Sequence, residues 1–380
     1  MNHALGPVAI VAVLFLIFVL TKLAVHGWDP SSFVTAGDKF CDPSAVPPGL
    51  YVFPNSDGHD GQFYYRFALN PFTRERTEFG ITVDLPAYRH QRILYPLLVW
   101  ILTFGHHAWV PLVMLAVNYI GLCLLTWFAA KYLQTKGYPP IYGLLITCYP
   151  GFLLTLSRDF TEIVAATLLL VSLWLAAQQR HRAAATILCS AVLARETSLL
   201  LACALVGLGL WRRILRQSRN ALPWYGAPIL VFLIWNLCLS YMWNGGTATT
   251  AGVLSMPFQG LAESAMDKLS ALSFRNAAYL AEMTLIILFA GAVAAALRSS
   301  AALTHEKIAW VLYAALAAIV SRNVWSEDWS FLRNLYELYV FGAIILLQSR
   351  SRLKTPLFAC WIACWLALYT LRLDLHHLFR

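Results

Sequence analysis

Residues 4–25 read ALGPVAIVAVLFLIFVLTKLAV, and the only charged side chain in this stretch is Lys22. A helix needs about 20 predominantly apolar residues to cross the hydrocarbon core of a bilayer. The stretch therefore predicts a membrane-spanning first helix. Because it lacks a basic n-region and a small-residue cleavage site, we expect an uncleaved helix rather than a signal peptide.

Comparable apolar runs recur along the chain, which is 59% hydrophobic and only 12% charged. This composition excludes a soluble globular enzyme, a disordered chain and a fibrous protein. The runs do not alternate with the period of two that barrel strands show, so the predicted fold class is an all-α polytopic membrane protein. Further runs lie at 108–130, 140–157, 162–178, 183–194, 197–211, 223–243, 279–297, 307–324, 334–348 and 356–373.

A shorter run, 92–105, would span only about 21 Å as a helix, so we expect it to lie on the outer surface or to re-enter the membrane. We also expect a break at Arg195–Glu196, where the two charges must meet a polar cavity rather than lipid. If 92–105 does not span the membrane and the chain breaks at Arg195–Glu196, the basic residues between the runs face the cytoplasm, as the positive-inside rule requires. These residues are Lys131, Lys136, Arg180, Arg182 and a cluster at 212–219.

This topology predicts eleven membrane helices, with the N-terminus inside and the C-terminus outside, in one integral membrane domain over residues 1–380. It assigns the net charge of +9 to topology and predicts no nucleic-acid partner. The long first outer loop, residues 26–91, holds eight of the nineteen acidic residues. Aqueous chemistry is therefore expected where this loop meets the outer segments 158–162, 244–278 and 325–333.

The first candidate site is the run His59-Asp60-Gly61-Gln62-Phe63-Tyr64-Tyr65 in the long loop. A carboxylate can take the proton of a sugar hydroxyl, a glycine permits close approach, and aromatic rings stack on sugar faces. We therefore predict Asp60 as a catalytic acid-base residue and His59, Gln62, Tyr64 and Tyr65 as substrate-binding residues. The alternative is an ordinary loop turn over residues 57–61, since Asp-Gly is common turn chemistry.

Four arginines are candidates for binding a lipid phosphate, because a guanidinium binds phosphate oxygens bidentately. Arg89 and Arg92 lie at the start of the short run, Arg333 precedes the run 334–348, and Arg195–Glu196 lies within the membrane. We predict all of them as substrate-binding residues. The alternatives are interfacial anchors for Arg89, Arg92 and Arg333, and a structural ion pair for Arg195–Glu196.

A short outer turn carries Arg158, Asp159 and Glu162. Asp159 and Glu162 are three residues apart and share a face at the start of a helix. We predict both as catalytic acids and Arg158 as a substrate-binding residue. Together with Asp60, Asp159 could bind a divalent cation, Mg or Mn, through oxygen ligands. The alternative is that the acids cap a helix N-terminus.

The chain resembles the GT-C superfamily of membrane glycosyltransferases over residues 1–215. The resemblance rests on Asp60-Gly61-Gln62-Phe63-Tyr64 in the first loop, on Tyr95-Pro96-Leu97 and on Ser157-Arg158-x-x-x-Glu162. The first of these is similar to the Asp-Gly-x-Trp/Phe-Tyr motif of the GPI mannosyltransferase II type. Protein mannosyltransferases, aminoarabinose transferases and bacterial multi-pass proteins of surface glycopolymers share the same layout.

The resemblance implies transfer of a sugar from a polyprenyl-phosphate donor to a glycan, lipid or protein acceptor on the extracytoplasmic side. It implies that the first-loop acid, here Asp60, serves as general base or binds a metal. Asp159 and Glu162 match the position of a second-loop acid in some members. The chain departs from the family in lacking an Asp-x-Asp pair in the first loop, so strict metal dependence is not implied.

Two other functions stay open. A polysaccharide polymerase or ligase would use the outer arginines on a polyprenyl diphosphate and would not need Asp60. A lipid or polymer transporter typically has internal repeats and ionisable residues along a path through the membrane. We find no repeat, and apart from Arg195–Glu196 and Glu282 the charges lie at the outer side, which favours an enzyme. The small size and the lack of Asn-x-Ser/Thr sequons favour a bacterial inner membrane.

Overall fold

The computed structural model of the protein describes residues 4–214, 222–244 and 253–373. Most of the described residues are helical, as predicted. Residues 215–219 of the predicted basic cluster lie outside the described residues. The helices are, in chain order, α1 (Leu5–Val25), α2 (Gly61–Leu69), α3 (Pro86–His90), α4 (Leu94–Leu102), α5 (Val110–Gln134), α6 (Gly143–Thr147), α7 (Pro150–Leu156), α8 (Glu162–Ala177), α9 (His181–Ala194), α10 (Leu199–Ile214), α11 (Leu222–Met242), α12 (Gln259–Ser270), α13 (Phe274–Ala296), α14 (Thr304–Ile319), α15 (Arg322–Trp325), α16 (Asp328–Asn334), α17 (Tyr336–Leu347) and α18 (Lys354–Leu371).

Five helices within the described part of the chain are long and apolar enough to cross a membrane. A sixth span results if α16 and α17, which are bent by 50° relative to each other, count as one. The protein is therefore an integral multi-pass membrane protein, as predicted, but the predicted number of eleven spans is wrong. The five are Leu5–Val25, His107–Gln134, Trp224–Met242, Phe274–Ala296 and Lys354–Leu371.

The count is lower because several apolar runs form short or broken helices. The run 140–157 is divided by prolines into a 3-10 turn, Pro140–Tyr142, followed by α6 and α7. Proline lacks the N–H that continues a helix, so each proline starts a new element. α9 has 14 residues, α10 and α14 have 16 each, and α17 has 12. At 1.5 Å per residue these are shorter than the ~30 Å core of a bilayer.

Residues 26–91 are not an open loop but a folded cap on one end of the helix bundle, which we call the loop end. The cap contains α2, α3 and two small sheets, so the structure is not purely α-helical. β1 (Ala36–Gly37) pairs in parallel with β2 (Val52–Phe53), and β3 (Thr77–Glu78) pairs antiparallel with β4 (Ile81–Thr82). A Cβ at Gly61 would collide with the backbone carbonyl oxygens of Arg158 and Val34. Glycine therefore permits α2 to pack closely on the turn before α8.

The two irregular features expected near the membrane are both present. The segment 92–105 forms α4, whose 9 residues cover only about 13 Å and cannot span a bilayer. α9 ends at Ala194, Arg195 is extended, and a 3-10 turn at Glu196–Ser198 leads into α10. The helix break therefore occurs at the predicted Arg195–Glu196 position, and it orients both charged side chains.

The helices pack in two groups. α5 packs against α1, α4, α6 and α8, while α8 also packs against α9, and α9 against α11. In the second group α10 packs against α14, α14 against α17, and α17 against α13. α10 also packs against α11 and so joins the two groups. Stacked rings surround α17, with Tyr149 and Tyr339 centroids 4.3 Å apart and Phe289 and Tyr339 centroids 5.2 Å apart. This packing fixes the turn before α8, the α9–α10 break and α16 next to the cap.

Candidate functional site

Asp60 lies directly before α2, between two arginines from distant parts of the chain. Arg89, at the end of α3, brings its Nη1 to 2.9 Å from Asp60 Oδ1. Arg333, on α16, brings its Nη2 to 2.6 Å from Asp60 Oδ2. The Asp60 side chain keeps 16% of its surface exposed. Both carboxylate oxygens are therefore held by guanidiniums at a position that solvent reaches.

Arg333 links Asp60 to a second carboxylate. Its Nη1 lies 3.2 Å from Glu162 Oε1, and its guanidinium is 4.0 Å from the centroid of the Phe160 ring. Glu162 also forms an ion pair with Arg195, which in turn donates a hydrogen bond to the Asn334 side-chain oxygen. The Glu162 side chain is only 1% exposed. The α9–α10 break thus supplies the innermost arginine of a continuous row of ion pairs.

Arg92 and Glu196 form a bidentate pair beside this row. Arg92 Nη2 lies 2.6 Å from Glu196 Oε1, and Nε lies 2.9 Å from Oε2. The same guanidinium donates hydrogen bonds to the hydroxyl oxygens of Tyr64 at 2.9 Å and Tyr88 at 3.0 Å. Of the two predicted tyrosines, Tyr64 is thus the one that contacts the charged groups.

Asp84 completes the set by holding the outer edge of Arg89. Arg89 Nε lies 2.9 Å from Asp84 Oδ1, and Nη2 lies 2.7 Å from Oδ2. We call the whole set the ion-pair cluster. Its members are Arg89, Arg92, Arg195, Arg333, Asp60, Asp84, Glu162 and Glu196. Each of the four arginines contacts at least one of the four carboxylates, and a fifth acid, Glu337, lies 4.0 Å from Arg195 Nε.

The electrostatics of the cluster keep Asp60 ionised. Burial by itself would raise the Asp60 pKa, but the charges of Arg89 and Arg333 outweigh it and hold the pKa well below the ordinary 3.8. For Arg89, burial lowers the pKa, and the neighbouring Asp60 and Asp84 raise it above its usual value. In this arrangement Asp60 is a permanent anion and a weak base.

Asp159 has a different environment. It is fully buried, and its Oδ1 accepts a hydrogen bond from the Asn118 amide nitrogen at 3.3 Å. Its Oδ2 has no hydrogen-bond partner among the described residues. Burial raises the pKa of Asp159 to about 8, although the Asn118 hydrogen bond and Lys22 lower it in part. Asp159 is thus sealed and largely neutral near pH 7.

The residues do not fit the predicted Mg or Mn site of Asp60 and Asp159. Both Asp60 oxygens are engaged by guanidiniums, while Asp159 is fully buried with Asn118 at its Oδ1. Across residues 4–214, 222–244 and 253–373, no group of three or more His, Cys, Asp or Glu side chains could hold an ion. Glu162, the remaining predicted acid, is also unsuited to bind a metal ion, because its side chain is buried and paired with Arg195 and Arg333.

His59 and Arg158 form an aromatic and cationic border next to the cluster. The His59 ring centroid lies 5.3 Å from that of Trp329 and 6.3 Å from that of Phe160. The Arg158 guanidinium is 4.2 Å from the Trp329 centroid. Burial, followed by the charge of Arg158, lowers the His59 pKa to about 3, so the ring is neutral at physiological pH.

Gln62 and Tyr65 face the interior of the cap rather than the cluster. The Gln62 side-chain oxygen accepts a hydrogen bond from Gly37 N at 3.0 Å, and its nitrogen donates to Asp57 O at 2.9 Å. Tyr65 is buried within the main apolar cluster. Their contacts tie α2 to the rest of the cap, so neither residue is brought to the ion pairs.

Sequence reasoning missed Asp84, Asn118 and Asn334. A signal existed for Asp84, since an aspartate immediately before Leu85-Pro86 is typical of a helix start, and α3 begins there. Asn118 is the only asparagine in the apolar run 108–130, which marks it as a buried hydrogen-bonding residue. Asn334 has no local signal, because its contact with Arg195 is 139 positions distant.

The site thus consists of a partly exposed carboxylate and four arginines at one end of a membrane-embedded helix bundle. Its exposed members are reached from the cap side, and its buried members extend toward the α9–α10 break. Comparison of the chain with protein-family models, with curated proteins and with solved structures finds no match.

Proposed function

We propose that the protein is a glycosyltransferase of GT-C type. It would take a sugar from a polyprenyl-phosphate donor and transfer it to a cell-envelope glycan, lipid or protein. The observation that carries this proposal is the Asp60 carboxylate between Arg89 and Arg333 at the loop end. The loop end thus combines an acid with two arginines that can bind phosphate. A lipid-linked donor can reach this end from the membrane, and an acceptor can reach it from water.

The reaction needs one base and one anion site. The acceptor hydroxyl oxygen bonds to the anomeric carbon of the sugar while the bond from that carbon to the phosphate oxygen breaks. The hydroxyl proton passes to Asp60, and the electron pair leaves with polyprenyl phosphate. Because phosphate is a good leaving group, no general acid is required. A positioned base contributes about 10²–10⁴ in rate, and arginines stabilise the departing charge.

The remaining residues take supporting roles. Glu162, Arg195 and Glu196 are positioning residues, because they hold Arg333 and Arg92 through buried ion pairs. His59 supplies a ring next to Asp60 that a sugar can stack on, and the buried Trp329 packs behind this ring. A divalent cation stays a prediction from the family resemblance, and no step of this reaction depends on it.

We assign the loop end to the extracytoplasmic side of a bacterial inner membrane. α5 and α8 both start at the loop end, so their last turns lie at the opposite end. Lys131 lies in the last turn of α5, and Lys136, Arg180 and Arg182 follow the last turns of α5 and α8. The positive-inside rule puts such residues in the cytoplasm, which leaves the ion-pair cluster facing outward.

The test is a transfer assay in proteoliposomes with polyprenyl-phosphate-linked sugars. Asp60→Asn keeps the size of the side chain but removes the base, so we expect transfer to fall by about 10²-fold or more. Asp57→Asn is the matched control, because Asp57 lies in the same cap and forms an exposed ion pair with Lys39. Near-normal transfer by Asp60→Asn, with correct folding, would overturn the assignment.

A polymerase or ligase acting on a polyprenyl diphosphate is the second candidate. The observation that favours it is the number of arginines, since four cations exceed the need of one phosphate. Such an enzyme would tolerate Asp60→Asn but lose activity in Arg89→Gln. The same assay with a diphosphate-linked oligosaccharide separates the two candidates.

A further inference from the structure

The ion-pair cluster offers an incoming phosphate no unpaired arginine. Each of its four arginines already contacts a carboxylate, and the four acids of the cluster, with Glu337 beside Arg195, leave no excess of positive charge. A phosphate that enters therefore has to replace one of the internal carboxylates. Otherwise it would add negative charge to a set that has no excess of positive charge, in surroundings that screen charge poorly.

Asp60 is the carboxylate that the geometry makes replaceable. Arg89 would keep its bidentate pair with Asp84, at 2.9 and 2.7 Å, after leaving Asp60. Arg333 would keep its contact with Glu162 at 3.2 Å. Each arginine uses one terminal nitrogen for Asp60 and other nitrogens for its second acid, so the contacts separate cleanly.

The other acids of the cluster are harder to displace. Glu162 is 1% exposed and pairs with both Arg195 and Arg333, so its release would leave a buried charge without compensation. Glu196 holds Arg92 through two hydrogen bonds, and Arg92 has no second acid in the cluster. Asp60 is partly exposed, and its carboxylate can turn to solvent or to a hydroxyl when the arginines leave.

We infer that the donor phosphate displaces the Asp60 carboxylate from Arg89 and Arg333, so that the base becomes free only when the donor is bound. This inference rests on the proposed glycosyl transfer. The exchange is an ion-pair exchange in which no covalent bond changes. The guanidiniums move from a carboxylate to phosphate oxygens, and the carboxylate oxygens become available to the acceptor hydroxyl.

The exchange also sets an order of events. While both of its oxygens carry arginines, Asp60 has little capacity to accept a further proton or to activate water. Once the arginines bind phosphate, an oxygen of Asp60 faces the sugar that the same phosphate carries. Donor binding thus precedes activation of the acceptor, so Asp60 acts as a base only when a donor sugar is in place.

The direct test compares the affinity of wild-type protein and Asp60→Asn for farnesyl phosphate, a short prenyl monophosphate, by calorimetry in detergent. Asparagine holds the arginines less strongly than a carboxylate does. We therefore expect Asp60→Asn to bind farnesyl phosphate about tenfold more tightly while losing transfer. Farnesol, which lacks the phosphate, should bind both proteins equally, and Asp57→Asn should match wild type.

Equal or weaker binding of farnesyl phosphate by Asp60→Asn would overturn the displacement. It would leave the proposed function intact, because the donor phosphate could bind other groups while Asp60 still acts as the base. Absence of phosphate-dependent binding in both proteins would also overturn the displacement, and the transfer assay then decides on the proposed function separately.

A second measurement needs no variant. Infrared difference spectra of the wild-type protein should show a shift of carboxylate stretching bands when farnesyl phosphate is added, because one carboxylate loses two arginines. Farnesol should leave the bands in place. Binding of farnesyl phosphate without any carboxylate shift would contradict the inference even if Asp60→Asn does not fold.

Discussion

Asp60 and Asp159 are two aspartates at the same end of the molecule, each in the turn that leads into a helix, yet they differ in every physical respect. Asp60 contacts two arginines and remains partly exposed. Asp159 is fully buried and has an amide as its polar contact. The first has a pKa held below its ordinary value, and the second a pKa raised to about 8. Partners, rather than burial alone, decide which acid stays charged.

The difference separates a reacting group from a structural one. Asp60 can meet a substrate, and its charge is controlled by groups that a phosphate can compete for. Asp159 joins the turn before α8 to Asn118 on α5, and no substrate atom can reach it without unfolding that contact. We therefore propose that Asp60 takes part in the chemistry and that Asp159 stabilises the fold, and single substitutions can test this difference.

The largest effect should come from replacing each aspartate by asparagine in turn. Asp60→Asn should lower transfer by about 10²–10⁴-fold because the base is removed. Asp159→Asn should keep transfer within about tenfold of wild type, a loss under 1.4 kcal/mol, since an amide suits a buried site with a neutral partner. Initial rates in proteoliposomes measure both. Equal losses in the two variants would erase the distinction.

Arg333→Gln should raise the pKa of Asp60 and so bring its ionisation closer to that of Asp159. Asp60 keeps Arg89 alone and its pKa rises, while the buried Glu162 loses one of its two arginines. Breaking a buried ion pair costs about 3–5 kcal/mol, so we expect a lower Tm together with lost transfer. Arg275→Gln is the control, because its pair with Glu327 is exposed and contributes at most about 1 kcal/mol. An unchanged Tm in Arg333→Gln would argue against the pairing.

Asp159 should give the protein a pH-dependent stability. Its folded-state pKa, about 8, lies above the ordinary 3.8, so the protonated form is favoured by folding. That contribution is complete below about pH 4 and is lost as the pH rises through about 8. We expect the Tm to fall over this range and the fall to be smaller in Asp159→Asn. Identical pH profiles of Tm in the two proteins would contradict the environment described for Asp159.

The smallest effect is expected at Glu282, a buried acid on α13 outside the ion-pair cluster. A transferase that works at Asp60 does not use this carboxylate, so Glu282→Gln should change turnover by less than about tenfold. A transporter that carries its substrate past Glu282 would depend on it. Complete loss of activity in a correctly folded Glu282→Gln would favour transport over transfer.

The membrane character of the chain follows from sequence alone, whereas the number of spans does not. The uninterrupted run at 4–25 and the adjacent charges at Arg195–Glu196 correctly indicate a span and a helix break. The run 140–157 contains Pro140 and Pro150, and hydropathy does not register how these prolines interrupt the backbone hydrogen bonding of a helix. Apolar composition overestimates spans wherever a buried helix is short.

The candidate site could be predicted as residue types but not as partners. Arg333 and Asp60 are 273 positions apart, and no local pattern links them. On α2 successive side chains rotate by about 100°, so Tyr64 reaches Arg92 while Gln62 and Tyr65 face the cap interior. The residues of the Asp60–Tyr65 motif, which are adjacent in sequence, therefore contact different parts of the structure.

The most direct measurement is mass spectrometry of the lipids that stay bound to the protein after purification in mild detergent. We predict a polyprenyl monophosphate, bare or carrying one sugar, in wild-type protein and more of it in Asp60→Asn. A preparation that holds only a polyprenyl diphosphate oligosaccharide, or only bulk phospholipid in both proteins, would contradict the assignment of the ion-pair cluster to a polyprenyl-phosphate donor.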